Sequence, residues 1–226
     1  MDQQLEAIME QLRQDVDLQP MAIDPALTAS DAYQKPMQLN CFNWRAERFA
    51  KISIMQTSVE VPPMNQLNAI FYPQPDYDFP IFLFLHVLTK SNVIAILNVN
   101  CPFSDKSYFS RNVDPFVPIQ KSFPPLKGKN RYPDWFEKYR NNATVFGVYS
   151  KAQADQLTSC GMECLRTYLK LAAEAPKVDE PDRLKRITSF HEQSKNDIRS
   201  KDRGRLVLAK LTNEEMARRI FYEVAT

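Results

Sequence analysis

Two consecutive segments, PIFLFLHVL (80–88) and VIAILNV (93–99), are apolar at odd and even positions alike. A strand sends alternate side chains to opposite faces, so a strand without a polar face must be covered on both sides. The two are separated only by TKSN (89–92), which reads as a hairpin turn and makes them antiparallel. The chain is therefore built around a central antiparallel sheet with helices on each side. Short runs rich in Ile, Val, Phe and Tyr predict further strands at 37–44, 48–58, 66–72 and 144–149, and place this pair at 81–90 and 93–100.

Helical spacing brackets these strands. Leu5, Ile8, Met9, Leu12 and Val16 form one apolar stripe that stops before Pro20. Leu157, Cys160, Cys164, Leu165, Tyr168 and Leu171 form another over 152–174, with Ser150 as its cap. Helices follow at 181–198, 203–211 and 214–225, the last capped by Asn213, and Asp134-Trp135-Phe136 starts a short one. Residues 101–132, rich in Pro, Ser and Lys, read as a long excursion over the surface: a lid, a partner surface or a connector. No linker divides the chain. The expectation is one α+β domain over residues 1–226, a three-layer α/β/α sandwich with a central antiparallel sheet.

Composition excludes several functions. The 29 basic and 27 acidic residues nearly cancel, leaving +2, which is not the footprint of a general nucleic-acid binder. No apolar run approaches the roughly 20 residues of a membrane span, and the acidic, amphipathic start is unlike a signal peptide, so the reading is cytoplasmic. The four glycines, Gly128, Gly147, Gly161 and Gly204, cannot compose a phosphate-cradling motif. Four cysteines and two histidines make a poor metal inventory, and reduced, core-filling thiols are expected.

Few residues are left for chemistry. No nucleophile elbow accompanies either histidine. His86 lies mid-strand and His191 on a helix stripe, where each is either a core residue or, in a dry cavity, a proton-transfer group. Asp202 in SKDRGRLVL, flanked by Lys201, Arg203 and Arg205, is either a helix cap or a functional acid. Asp76 and Asp78 read as turn formers.

QLNAIFYPQPDYDFPIF (66–82) resembles the signature of the ferredoxin-dependent bilin reductases, in which a strand ends in an aromatic-Pro pair and P-x-[FY]-D-x-P-[IL]-F opens the next. RYPDWFEKY (131–139) is similar to the family's Pro-Pro-Trp helix start, 146–172 to its next strand and long helix, and 201–224 aligns without a gap to its C-terminal N-D-K segment. The resemblance implies an α/β/α sandwich that binds biliverdin or a related linear tetrapyrrole between the sheet and the C-terminal helices. It implies no bound flavin or metal, single electrons from reduced ferredoxin, and protons from side chains. Heme oxygenase or a bilin acceptor protein are further partners it admits, and a monomer is expected.

Of the family's three acid/base positions, the first falls on Asn68, an allowed choice, and the third on Asp202. The second falls on Leu85, which cannot carry a proton. Either a bulge brings the adjacent His86 onto the same face in its place, or the chemistry runs mainly from Asp202, on the A-ring side. Loss of catalysis, leaving a tetrapyrrole carrier, is the alternative. Phe71, Phe82, Phe84, Trp135, Phe146 and Tyr149 are the expected aromatic walls, and Arg131 and Arg203 the expected propionate ligands. Lys121, Lys127 and Lys129 are expected to form the rim that docks acidic ferredoxin.

Overall fold

The computed structural model describes residues 2–29, 33–123, 128–129 and 133–226. Seven strands form one sheet: β1 (Gln19–Pro20), β2 (Met37–Ala46), β3 (Phe49–Val59), β4 (Met64–Pro73), β5 (Ile81–Thr89), β6 (Asn92–Asn100) and β7 (Val145–Ser150). Their order in space is their order in sequence, and every neighbouring pair is antiparallel. The β5–β6 turn forms where the sequence predicts it. The Thr89 hydroxyl accepts from the Asn92 N–H at 3.1 Å and donates to the Asn92 carbonyl at 2.9 Å, pinning a two-residue loop.

Helices cover both faces. On one lie α1 (Asp2–Asp15) and α4 (Ala154–Glu174), meeting Phe49, Ile52, Ile54, Phe71, Phe82, Phe84 and Leu97 from the sheet. The α4 stripe is driven inward by Leu157, Cys160, Cys164, Leu165 and Tyr168, all at 2% exposure or less. Tyr168 stacks on Phe82 at 4.8 Å between centroids, and its hydroxyl donates to the Pro80 carbonyl at 2.9 Å. At Gly161 the helix comes closest to the sheet: a Cβ there would lie 2.2 Å from Cε2 of Phe84, whose ring is 2% exposed and walled in. We expect Gly161→Ala to lower the unfolding free energy by about 1–3 kcal/mol through overpacking, read from urea denaturation.

Over the other face lie α5 (Pro181–Lys201), α6 (Gly204–Leu211), α7 (Glu214–Arg219), the π turn Ile220–Ala225 and the 3-10 helix Asp134–Tyr139. Their core joins Ile198, Leu208, Leu211, Ile220 and Phe221 to Met55, Ile70, Tyr72, Ile81 and Leu83. Asn213 caps α7 as expected, accepting from the Met216 N–H at 2.8 Å.

The segment 101–132 departs from its reading as a surface excursion. It folds α2 (Lys106–Asn112), a 3-10 turn Asp114–Phe116 and α3 (Val117–Ser122), and buries Phe103, Tyr108, Val113 and Phe116. Each helix is too short to show a repeated stripe, so single buried anchors hold it. Among the described residues no helix is long and apolar enough to cross a membrane.

Candidate functional site

The two faces of the sheet are covered unequally. In β6 and β7, Val93, Ala95, Leu97, Val145, Gly147 and Tyr149 point toward α4 and are buried, while the alternating Ile94, Ile96, Phe146 and Val148 remain half-buried. Asn68 and Leu85, on strands flanked on both sides, are half-buried as well. Cross-strand pairing joins these into one row, Met55–Asn68–Leu85–Ile96–Phe146. Apolar side chains left open at the centre of a sheet mark a binding trough.

Its borders are the C-terminal helices and the Asp134–Tyr139 turn. Over β2–β4, α6 and Phe221 close down on Leu39, Met55 and Gln66, leaving a cavity of only about 20 Å³. Over β7, Phe136 packs on Phe146 at 4.9 Å between centroids, with Trp135 beside it at 5.7 Å. The trough runs between these two walls along β5 and β6.

Asp202 stands on the α6 wall. It ends α5, and its Oδ1 accepts from the Gly204 N–H at 2.7 Å, turning the chain into α6. Gly204, whose amide it holds, lines the cavity with Gln66 and Met55, the cross-strand partner of Asn68. Burial pushes the Asp202 carboxyl above the usual carboxylate range, and the Gly204 hydrogen bond offsets this only in part. Two of its three basic neighbours are engaged elsewhere, Lys201 with Asp197 at 2.6 Å and Arg205 with Glu214, and the third, Arg203, is exposed.

Of the residues singled out in the sequence, Asn68, Leu85, Trp135, Phe146 and Asp202 come together around the trough, and Arg203 is exposed at its Asp202 end. Five do not. Phe71, Phe82, Phe84 and Tyr149 belong to the α1/α4 core on the opposite face, and His86 shares their side of the sheet. The reason is register: β5 pairs with β4 and with β6 without a break, so no bulge carries His86 to the face of Leu85. His86 sits between Leu67 and Ala95, and burial lowers its pKa and favours the neutral ring. Lys121 and Lys129 are exposed, Lys129 by pairing its backbone with Val148 at the outer edge of β7. Lys127 and Arg131 lie outside the described residues.

The sequence reading missed the apolar floor, Ile94, Ile96 and Val148. It also missed Asp197, whose buried carboxylate accepts from Tyr139 Oη, Lys138 Nζ and Lys201 Nζ, each at 2.6 Å. Cross-strand register carried from Asn68 through Leu85 to Ile96, with strand parity from there, finds the floor. Nothing local in the sequence points to Asp197.

Comparison with known proteins places the chain in a family. The model of the ferredoxin-dependent bilin reductases matches residues 5–224. The chain belongs to that family. Phytochromobilin synthase from tomato, solved in complex with biliverdin, superimposes with a TM-score of 0.84 at 17% identity, over 97% of this chain and 80% of that one. PcyX superimposes with a TM-score of 0.59 at 9% identity, over 95% of this chain and 91% of that one. At these identities the two structures establish the fold. A comparison with curated proteins finds no match.

Proposed function

We propose that this protein takes single electrons from reduced ferredoxin and reduces biliverdin or a dihydrobiliverdin on its A-ring side, with Asp202 as proton donor. The observation that carries this reading is the trough: its central row offers the amide of Asn68 and the alkyl side chain of Leu85, while the acid stands at the border, on Asp202. Each reduced carbon–carbon double bond takes two electrons and two protons, so two ferredoxins serve each bond. In this reading the protein holds no cofactor, and the conjugated bilin accepts the electrons directly. Asp202, enriched in its protonated form by burial, transfers a proton to the bilin radical and is reprotonated from solvent. Asn68 orients the pyrrole nitrogens or a lactam carbonyl, and Trp135 and Phe146 supply apolar wall.

Arg203 serves a propionate in this reading. Replacing it with Ala is expected to raise the biliverdin Kd by about two- to fivefold, the range for an exposed charge-assisted pair, with little change in kcat. Absorbance titration of the bound bilin measures this.

Leu85 favours a second reading, a tetrapyrrole carrier without turnover. One experiment separates the two: anaerobic absorbance of the protein with biliverdin, before and after adding ferredoxin and a reducing system. Loss of the biliverdin band with growth of a new bilin band establishes a reductase. A bound spectrum that never changes supports the carrier, and no perturbation on mixing removes biliverdin as the ligand.

A further inference from the structure

Asp202 has cationic sequence neighbours on both sides and yet the only hydrogen bond to its carboxyl group among the described residues comes from a backbone amide, that of Gly204. The structure shows where the nearest cation has gone. Lys201 reaches back one turn to Oδ1 of Asp197 at 2.6 Å, while Lys138 and the Tyr139 hydroxyl approach Oδ2 of the same carboxylate, both at 2.6 Å. The Asp197 side chain is 7% exposed, whereas the two lysines are 41% and 49% exposed and could extend elsewhere at little cost.

We propose that Asp197 is a positioning residue for Asp202: it ties the last turn of α5 to the Asp134–Tyr139 helix and, by holding Lys201, keeps that ammonium group off the Asp202 carboxyl. This rests on the reading of Asp202 as the proton donor.

The other charged groups near Asp202 in sequence have their own places: Arg199, one turn back on α5, donates to Thr226, Arg203 at the α5–α6 corner is exposed, and Arg205 of α6 is paired with Glu214 of α7. The sheet residues that line the neighbouring cavity, Leu39, Met55, Thr57, Met64 and Gln66, carry no charge, and neither does Phe221. Lys201 is thus the adjacent cation that a buried carboxylate holds in place. Burial raises the Asp197 carboxyl, but hydrogen bonds from Lys138, Lys201 and Tyr139 hold it at about 2, so the clip stays charged throughout the range in which Asp202 titrates. An ammonium group brought within about 4–6 Å of a carboxylate lowers its pKa by roughly 1–3 units.

The test is the titration midpoint of the Asp202 carboxyl, followed by ¹³C NMR in full-length protein with labelled aspartate and assigned by its loss in Asp202→Asn. Asp197→Asn keeps an acceptor for Tyr139 and releases Lys201. We expect it to lower the Asp202 midpoint by about one pH unit, to move the alkaline limb of kcat by the same amount, and to leave the biliverdin Kd within twofold. Adding Lys201→Met to Asp197→Asn should restore the midpoint, which a purely structural role would not do. Lys201→Met alone should leave it unchanged. If Asp197→Asn does not fold, Asp197→Ser, which leaves room for a water beneath the Tyr139 hydroxyl, takes its place.

An unmoved midpoint in Asp197→Asn overturns the proposal. So does a defect, in folding or in titration, that Lys201→Met fails to relieve. If the midpoint moves and returns as expected while Asp202→Asn keeps full turnover, the electrostatic role stands and the assignment of Asp202 as donor is the part that falls.

Discussion

Asp202→Asn is expected to cut bilin turnover by about 10²–10⁴-fold, the range of general-acid contributions, while the biliverdin Kd stays within about twofold. The substitution is nearly isosteric, and an amide oxygen can still accept from the Gly204 N–H, so the α5–α6 corner and the trough keep their shape. Only the proton is lost. Single-turnover absorbance under anaerobic conditions, with ferredoxin in excess, measures the loss on the step that matters. Unchanged turnover would take Asp202 out of the mechanism.

The same substitution carries a stability signature of defined sign. Burial raises the folded-state pKa of Asp202 above that of the unfolded chain. The stability this group contributes is therefore fully present below the unfolded value, near 3.9, and is lost as pH rises through the folded one. At pH 7 the raised pKa is a cost that asparagine does not carry. Asp202→Asn should accordingly be at least as stable as the parent at pH 7 and lose that advantage at pH 3, read as Tm at the two pH values. A variant that is less stable at pH 7 would show that the carboxylate is needed by the fold. Gain of stability with loss of turnover is the trade expected of an acid kept uncomfortable for its chemistry.

How far the sequence revealed this site depends on the kind of signal each part carries. The doubly apolar β5 and β6 could be read directly, because two covered faces leave no polar alternation, and the helices on either side follow from that. The aromatic walls could not be read from residue type. Phe71, Phe82, Phe84 and Phe146 look alike in a string, and only pairing register sends the first three toward α4 and the last into the trough. Parity would have sorted them: with Asn68 on the open face, Phe71 lies an odd number of residues away on the same strand. His86 fails by the same count from Leu85. Asp197 lay beyond any such rule, since its partner Tyr139 is 58 residues away in sequence and the two meet only after α5 docks.

Leu85→Asp is expected to change what the enzyme makes. Leu85 occupies the middle of the row, paired directly with Asn68 on one side and Ile96 on the other, and is half-buried beneath the open trough. Cross-strand partners hold their Cβ atoms about 4.5–5.5 Å apart, so an introduced carboxyl lies within reach of the Asn68 amide and, in the proposed binding mode, against the tetrapyrrole. Partial burial raises its pKa and keeps part of it protonated near neutral pH. In the proposed mechanism the trough then holds two proton sources, one at the Asp202 border and one in the middle, at the family's second acid/base position. The expected result is a second bilin product, absent from the parent reaction, resolved by chromatography and by its absorbance. Leu85→Asn, which has the same shape and no proton to give, should not form it. The stability loss should be modest, about 1–2 kcal/mol for a half-buried leucine, and urea denaturation sets that limit. An unchanged product from a folded Leu85→Asp protein would place the reacting carbons away from this row. Formation of that second product by the parent protein itself would mean that another group already donates there, and the A-ring assignment would have to be given up.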